Sequence, residues 1–297
     1  MDNRQEVREF LVSRRAKITP KQAGLPAGGT RRVPGLRRSE VAALADVSIE
    51  YYAKLERGSL AGVSAGVLDA IARALQLDDA ERAYLLNLAQ AADGTSAIVR
   101  PRRRGPKAKQ WTPRHSLQWT LDAITEAPAF ISNGRMDLLA ANHLARAFYS
   151  PVCTSRQQPP NFARFQFLDA ASHQFYPDWD FFADIHVAIL RTEAGRNPHD
   201  KELHDLIGEL STRSDEFRTR WGAHNVRHHS TGSKTFHHPV VGDIKIAYEC
   251  LELAAEPGLA LTIYTAEPGS PSEEALRLLG SWAASRDGES TTQHLTD

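Results

Sequence analysis

Glu50 and Lys54 stand four residues apart in a segment that opens at Ser48 and closes at Gly58. A serine at such a start accepts from an orphan amide of the first helical turn, and a glycine at such an end supplies a left-handed residue. Val47, Tyr51 or Tyr52, and Leu55 fall where a helix over Ser48–Arg57 turns inward. Ile49, Glu50 and Lys54 then point outward. Their chemistry is that of base-edge reading in a DNA groove: Glu accepts from cytosine, Lys donates to guanine, and Ile meets a thymine methyl. Arg31, Arg32, Arg37 and Arg38 precede this segment and Arg57 ends it. With the Ser48 hydroxyl they are candidate phosphate contacts, since cations near a helix start suit phosphate. The plainer readings are a core helical hairpin and a solvated charged loop.

A second helix must hold that rod in place. Val41, Leu44 and Ala45 recur at helical spacing just before it, and Ala42 is small where another helix crosses. Asp46 sits at the turn, and Asp tolerates the left-handed conformation better than most residues. Val7, Phe10 and Leu11 stripe an earlier helix ending near Lys17, and a Gly- and Pro-rich loop follows from Thr19 to Pro34. Ser64 caps a helix carrying Val67, Leu68, Ile71, Ala74 and Leu75. Asp78 and Glu81 have capping-box spacing before Tyr84, Leu85 and Leu88. A small all-α domain is therefore expected to be complete by about Ala92.

The 297 residues suggest two domains. The net charge of zero hides an asymmetry. Residues 1–110 carry 20 Lys and Arg against 12 Asp and Glu, a net of +8, and residues 111–297 carry 16 against 24, a net of −8. A nucleic-acid reader joined to a domain with another task has this signature. No apolar run is long enough to span a membrane, and the charged first residues do not form a secretory signal. Two scattered cysteines, Cys153 and Cys250, exclude a disulfide framework and fit a reducing, cytoplasmic setting.

Asp93 to Thr112 looks like a linker, rich in Gly, Pro and Arg, and is expected to be mobile or extended. Beyond it the pattern becomes mixed. Asn133-Gly134 lies between apolar runs, the strongest short hairpin signal. Helical stretches are expected at Asn142–Tyr149, Asp178–Arg191, Lys201–Leu210 and Asp215–Ala223, and strands near Thr235–His238, Ile244–Leu253 and Leu259–Thr265. In the last, alternation suggests a strand buried on one side. Ser270–Glu273 opens a final helix through Trp282, and the tail from Ser285 reads as disordered. That order gives an α+β domain: an antiparallel sheet with helices on one face.

Catalytic signatures are missing: no nucleophile elbow, no phosphate-binding loop and no dinucleotide fingerprint. His224 and His228 have the four-residue spacing of metal ligands, but Asn225 stands where a zinc hydrolase carries Glu. Neither a catalytic set nor a metal site is assigned. Eight aromatic residues crowd positions 162–182. Most belong to a core, and some can line an apolar ligand cavity.

The run Gly35-Leu36-Arg37-Arg38 through Leu55-Glu56-Arg57-Gly58 resembles the helix-turn-helix of lambda-repressor-like (XRE-type) domains and, more narrowly, the MmyB-like family of bacterial transcription regulators. That family has glycine at the position of Asp46. Asp137–Asn142, Tyr176–Trp179, Ser214–Phe217 with Trp221, Phe236–Gly242 and Tyr264–Ser270 extend the resemblance over nearly the whole chain. It implies a helix-turn-helix domain over 1–92, a basic linker over 93–112, a PAS-like ligand-binding domain over 113–284 and a tail over 285–297. It further implies a small apolar effector, fatty-acid-like in some members, and no cofactor. Phe130, Trp179, Phe182, Arg191, His237, His238 and Tyr248 are the candidate pocket residues, with Arg191 as a cation for a carboxylate. A homodimer on a palindromic operator in double-stranded DNA is expected, because one such module buries little surface. The competing readings are an enzyme whose rear domain is localised by a DNA-binding module, and a protein-interaction adaptor.

Overall fold

A computed structural model describes residues 3–26, 33–93, 111–153, 158–223 and 231–293. Two compact units emerge. The first comprises Met1–Pro101 with Val187–His228, the second Arg102–His186 with His229–Asp297.

The first unit opens with α1 (Asn3–Lys17), α2 (Arg38–Leu44), α3 (Ile49–Glu56), α4 (Ala65–Ala74) and α5 (Asp79–Ala92). Their apolar stripes meet in one core that includes Val7, Phe10, Leu11, Val41, Tyr52, Leu55, Ile71 and Leu85. Ser64 accepts from the Val67 amide, and Asp78 and Glu81 form the reciprocal capping box. Helix α2 turns Val41, Ala42 and Ala45 inward, whereas Leu44 is 39 % exposed. The expectation of an inward Leu44 therefore fails. Only seven residues long, α2 has a single narrow inward stripe, and Ala42 occupies it.

The ends of α2, α3 and α4 share one device. The Val47 amide donates to the Ala42 carbonyl and the Asp46 amide to that of Ala43. This is a Schellman end with Asp46 at the left-handed position, φ 53°. Gln76 plays the same part after α4, with φ 46°. After α3 it falls to Gly58 at φ 95°, whose missing Cβ makes room for the backbone of Arg4.

The second unit begins with α6 (His115–Ala123), β1 (Ala129–Asn133), β2 (Leu138–Ala141), α7 (His143–Phe148), α8 (Ser150–Cys153), α9 (Phe162–Leu168) and α10 (Ser172–Phe175). Helix α11 (Trp179–Arg196) crosses the division between the units after His186. Helices α12 (Lys201–Arg213) and α13 (Asp215–Gly222) belong to the first unit. The second resumes with β3 (Thr231–His238), β4 (Gly242–Glu252), β5 (Leu259–Thr265) and α14 (Pro271–Gln293). Helix α14 runs past the end expected at Trp282, and no proline interrupts the sequence there.

The sheet has the order β2-β1-β5-β4-β3, and every pairing is antiparallel. Strand β5 is central, and both of its faces are covered. Leu259 and Leu261 pack with Leu121 of α6 and Ile131 of β1, while Tyr264 joins an aromatic core on the opposite face. The sheet thus has helices on both sides, not one. The β1–β2 hairpin forms as its Asn-Gly pair suggests, but by another route. The Asn133 side chain accepts from the amides of Arg135 and Asp137. Met136, not Gly134, takes the positive φ, at 67°.

Candidate functional site

Helix α3 is held by its inner face. Tyr52 and Leu55 are fully buried, and Ser48 Oγ accepts from the Tyr51 amide at 3.1 Å. That leaves Ile49, Glu50 and Lys54 exposed on one side, with Ile49 48 % accessible despite being apolar. Arg37, Ser48 and Arg57 are exposed beside them. Arg31 and Arg32 lie outside the described residues, as do the basic linker and His224 and His228.

Arg38 is exposed too, but its guanidinium is engaged. Its Nε and Nη2 donate to Glu56 Oε1 at 3.0 and 2.9 Å, and Arg15 Nε donates to Oε2 of the same carboxylate at 2.9 Å. Glu56 is only 1 % exposed. Burial pushes its carboxyl up, yet hydrogen bonds from Arg15 and Arg38 overcome that and hold it below its ordinary value. The same bonds raise the Arg38 guanidinium. One buried acid at the end of α3 therefore ties together α1, the start of α2, and α3.

A second buried carboxylate lies in the same unit. Glu6 of α1 accepts from Tyr84 Oη at 2.6 Å and from Arg191 of α11. Arg191 also donates to the Trp221 carbonyl, and its guanidinium covers the Trp221 ring at 4.1 Å. One helical turn later, Gly195 presses against the Tyr84 ring so closely that a Cβ would clash with it. Helix α11 thereby packs on α1 and α5 of the helical unit. Arg191 is fully buried in these contacts.

The pocket candidates consequently divide. Arg191 belongs to the first unit, and Phe130, Trp179, Phe182, His237, His238 and Tyr248 to the second. His237 points out of the sheet and pairs with Asp243 at 2.6 Å. His238, one residue on, is buried. Its Nε2 lies 3.2 Å from the Ala147 carbonyl, and its Nδ1 accepts from the Val240 amide. Strand alternation separates the two. Trp179 is half-buried, stacked on His173 at 4.6 Å. Phe130 packs on Tyr149, Phe162 and Tyr264, and Phe182 stacks on Tyr176 at 4.2 Å.

The sequence reading misses the most unusual member of this core. Lys234 of β3 is 8 % exposed, and its Nζ lies 4.4 Å from the Tyr248 ring centroid, 5.6 Å from Phe182 and 5.8 Å from Tyr264. No carboxylate among the described residues pairs with it. Burial lowers its amine to about 7. Nearby His186 is buried with its Nδ1 lacking a hydrogen-bond partner among the described residues. Burial, with the Lys234 charge, lowers it to about 3. The signal was period two: Lys234, Phe236 and His238 share the inner face of β3.

Among the described residues no group of three His, Cys, Asp or Glu side chains converges as a metal site would require, and no helix is long and apolar enough to cross a membrane. No curated protein sequence matches the chain. Two family models do. Residues 13–85 match a helix-turn-helix domain, a segment that runs from the last turns of α1 through α2, α3 and α4 into the first half of α5. Residues 113–279 match the MmyB-like transcription regulator ligand binding domain. That second match spans more than half of the 297 residues, and the chain belongs to the MmyB-like transcription regulator family.

Proposed function

We propose that the protein is a sequence-specific regulator that reads duplex DNA with α3 and answers to a small apolar, fatty-acid-like effector in its second unit. The observation that carries the reading is the exposed Ile49, Glu50 and Lys54 on a helix anchored by buried Tyr52 and Leu55. Glu50 and Lys54 make the base-edge contacts and Ile49 touches a thymine methyl. Arg31, Arg32, Arg37, Arg38, Ser48 and Arg57 hold phosphates. For Arg38 the Glu56 pair leaves its outer edge for that task.

Two copies bind a palindrome with half-sites about 34–36 Å apart, because a single module covers too little DNA for selectivity. The effector acts by binding one state more tightly than the other. Helix α11 is the natural route, since Phe182 and His186 lie in its first half and Arg191 in its second. The protein works in the cytoplasm, associated with the nucleoid, with no cofactor and no catalytic step.

Recovery of DNA bound in cells, followed by shift assays on the shared sequence over a salt series, tests the reading. Tight, salt-dependent binding to a palindrome is the expected result. Failure to bind any duplex overturns it and favours an adaptor or a localised enzyme.

A further inference from the structure

The turn between β3 and β4 and the outward face of α14 enclose a groove of about 510 Å³, a size within the range of small-molecule sites, roughly 300–1,000 Å³. Val240 and Val241 form one wall. Glu274, Leu278 and Trp282 of α14 form the other, and the buried Ala275 also lines it. This is a different set of residues from the rings around Lys234. Glu274, Leu278 and Trp282 recur every fourth residue, so they share one face of the helix over about 12 Å. Two of the apolar side chains stand in water: Val240 is 43 % exposed and Leu278 58 %.

Both walls are fixed by the fold. Leu276, Leu279 and Ala283 bury the inner face of α14. Ser272 Oγ accepts from the Lys245 amide at 2.9 Å, which ties the helix start to β4. The Val240 amide donates to His238 Nδ1 at 3.2 Å, which holds the turn. A groove that keeps its shape loses little order on binding. Charge then sets its preference, and two adjacent acids have different fates. Glu273 accepts from the Gly269 amide at 2.8 Å and lies 3.8 Å from the Arg277 guanidinium. Glu274 lines the groove, and its carboxylate has no partner among the described residues. Residues 111–297, with 16 Lys and Arg against 24 Asp and Glu, add a field of the same sign, a net of −8.

We infer that this groove is a second ligand site and binds an amphiphilic organic cation, its ammonium group beside Glu274 and its apolar body along Leu278 to Trp282. The carboxylate supplies the opposite charge and repels an anion. The apolar wall takes the hydrocarbon body out of water, and Trp282 offers it a flat ring. The site is independent of the effector proposed above, since it uses other residues and prefers the opposite charge.

Octyltrimethylammonium and octyl glucoside share one chain length and differ in charge. Each is titrated into the full-length protein below its micelle concentration. The part of the fluorescence change that Trp282→Phe removes reports the groove alone. The cation should bind there about fivefold more tightly than the glucoside, the worth of a partly screened ion pair, and the preference should shrink as salt is raised. Glu274→Gln should bring the cation down to the level of the glucoside and leave the glucoside unchanged. Leu278→Ser should weaken both. Each replaced side chain is exposed, so circular dichroism and melting should match the wild type. Equal affinity for the two ligands, or a preference that survives in Glu274→Gln, overturns the inference. A dimer in sedimentation that Leu278→Ser dissociates, with neither ligand changing the Trp282 signal, overturns it too and gives the groove to a second copy. None of these outcomes touches the reading of α3 or of the apolar effector.

Discussion

Glu56 and Lys234 are both charged side chains taken out of water, and their surroundings are opposite. Glu56 is gripped by Arg15 and Arg38, so its charge is matched within the fold. Lys234 lies against aromatic rings and has no acid partner among the described residues. A matched buried charge fixes geometry, here the angle at which α2 and α3 meet below the exposed reading face. An unmatched one does the reverse: it costs stability. The helical unit matches its buried charge within the fold, and the sheet unit leaves a lysine without an acid partner among the described residues.

Removal of the acid is the harshest way to break this contrast. Glu56→Gln leaves the mostly buried Arg15 without its carboxylate and should cost about 3 kcal/mol in thermal or urea unfolding. The exposed Arg38 contributes little to that loss. Because Glu56 titrates below its ordinary value in the fold, its contribution is present above about pH 4.5 and fades as pH falls through the depressed value. Melting curves from pH 7 to pH 3 should fall more steeply for the wild type than for the variant.

The opposite result is expected at Lys234. Lys234→Met should raise stability by about 2 kcal/mol, since it replaces an unmatched buried amine with an apolar side chain of similar length. The amine titrates near 7 in the fold and near 10.5 unfolded, so the unfolded chain binds more protons between those values. Wild-type stability should therefore rise with pH across that window, and the slope should vanish in the variant. His186 stays neutral throughout, being lowered to about 3. A variant less stable than wild type would show that the amine has a hidden partner.

Two smaller effects sharpen the helical side. Lys54→Ala should weaken operator binding by about 1–3 kcal/mol and blur preference at one base pair. Equal weakening on all sequences would reduce Lys54 to a phosphate contact. Asp46→Gly should stabilise by about 1 kcal/mol, because glycine adopts the left-handed turn without steric cost. A lower melting temperature would mean that the Asp46 side chain contributes more than its backbone costs.

The helical unit was largely legible because its signals are local. Ser48, Ser64 and Asp78 cap the helices that follow them, as their spacing suggests. Asp46 takes the left-handed turn despite not being glycine. The α3 face follows from a period of 3.6 counted over one helix. Pocket residues were harder, because a pocket gathers side chains from distant elements. Phe182 and Tyr248 both lie against Lys234, but Arg191 is spent on Glu6, 185 positions away, and His237 faces outward. The strand carrying Lys234 was expected to begin only at Thr235, so its inward place passed unnoticed.

Sequence alone determined the two-part plan, the helix-turn-helix and the side of α3 that meets solvent. Those depend on caps, turn residues and periodicity within a few residues of one another. Only the tertiary structure decided that Val187–His228 joins the helical unit, that helices cover both faces of the sheet, and that Lys234 lies among aromatic rings with no acid partner among the described residues. Burial and charge pairing are sums over neighbours that the chain brings together from far apart, and no local pattern records that sum.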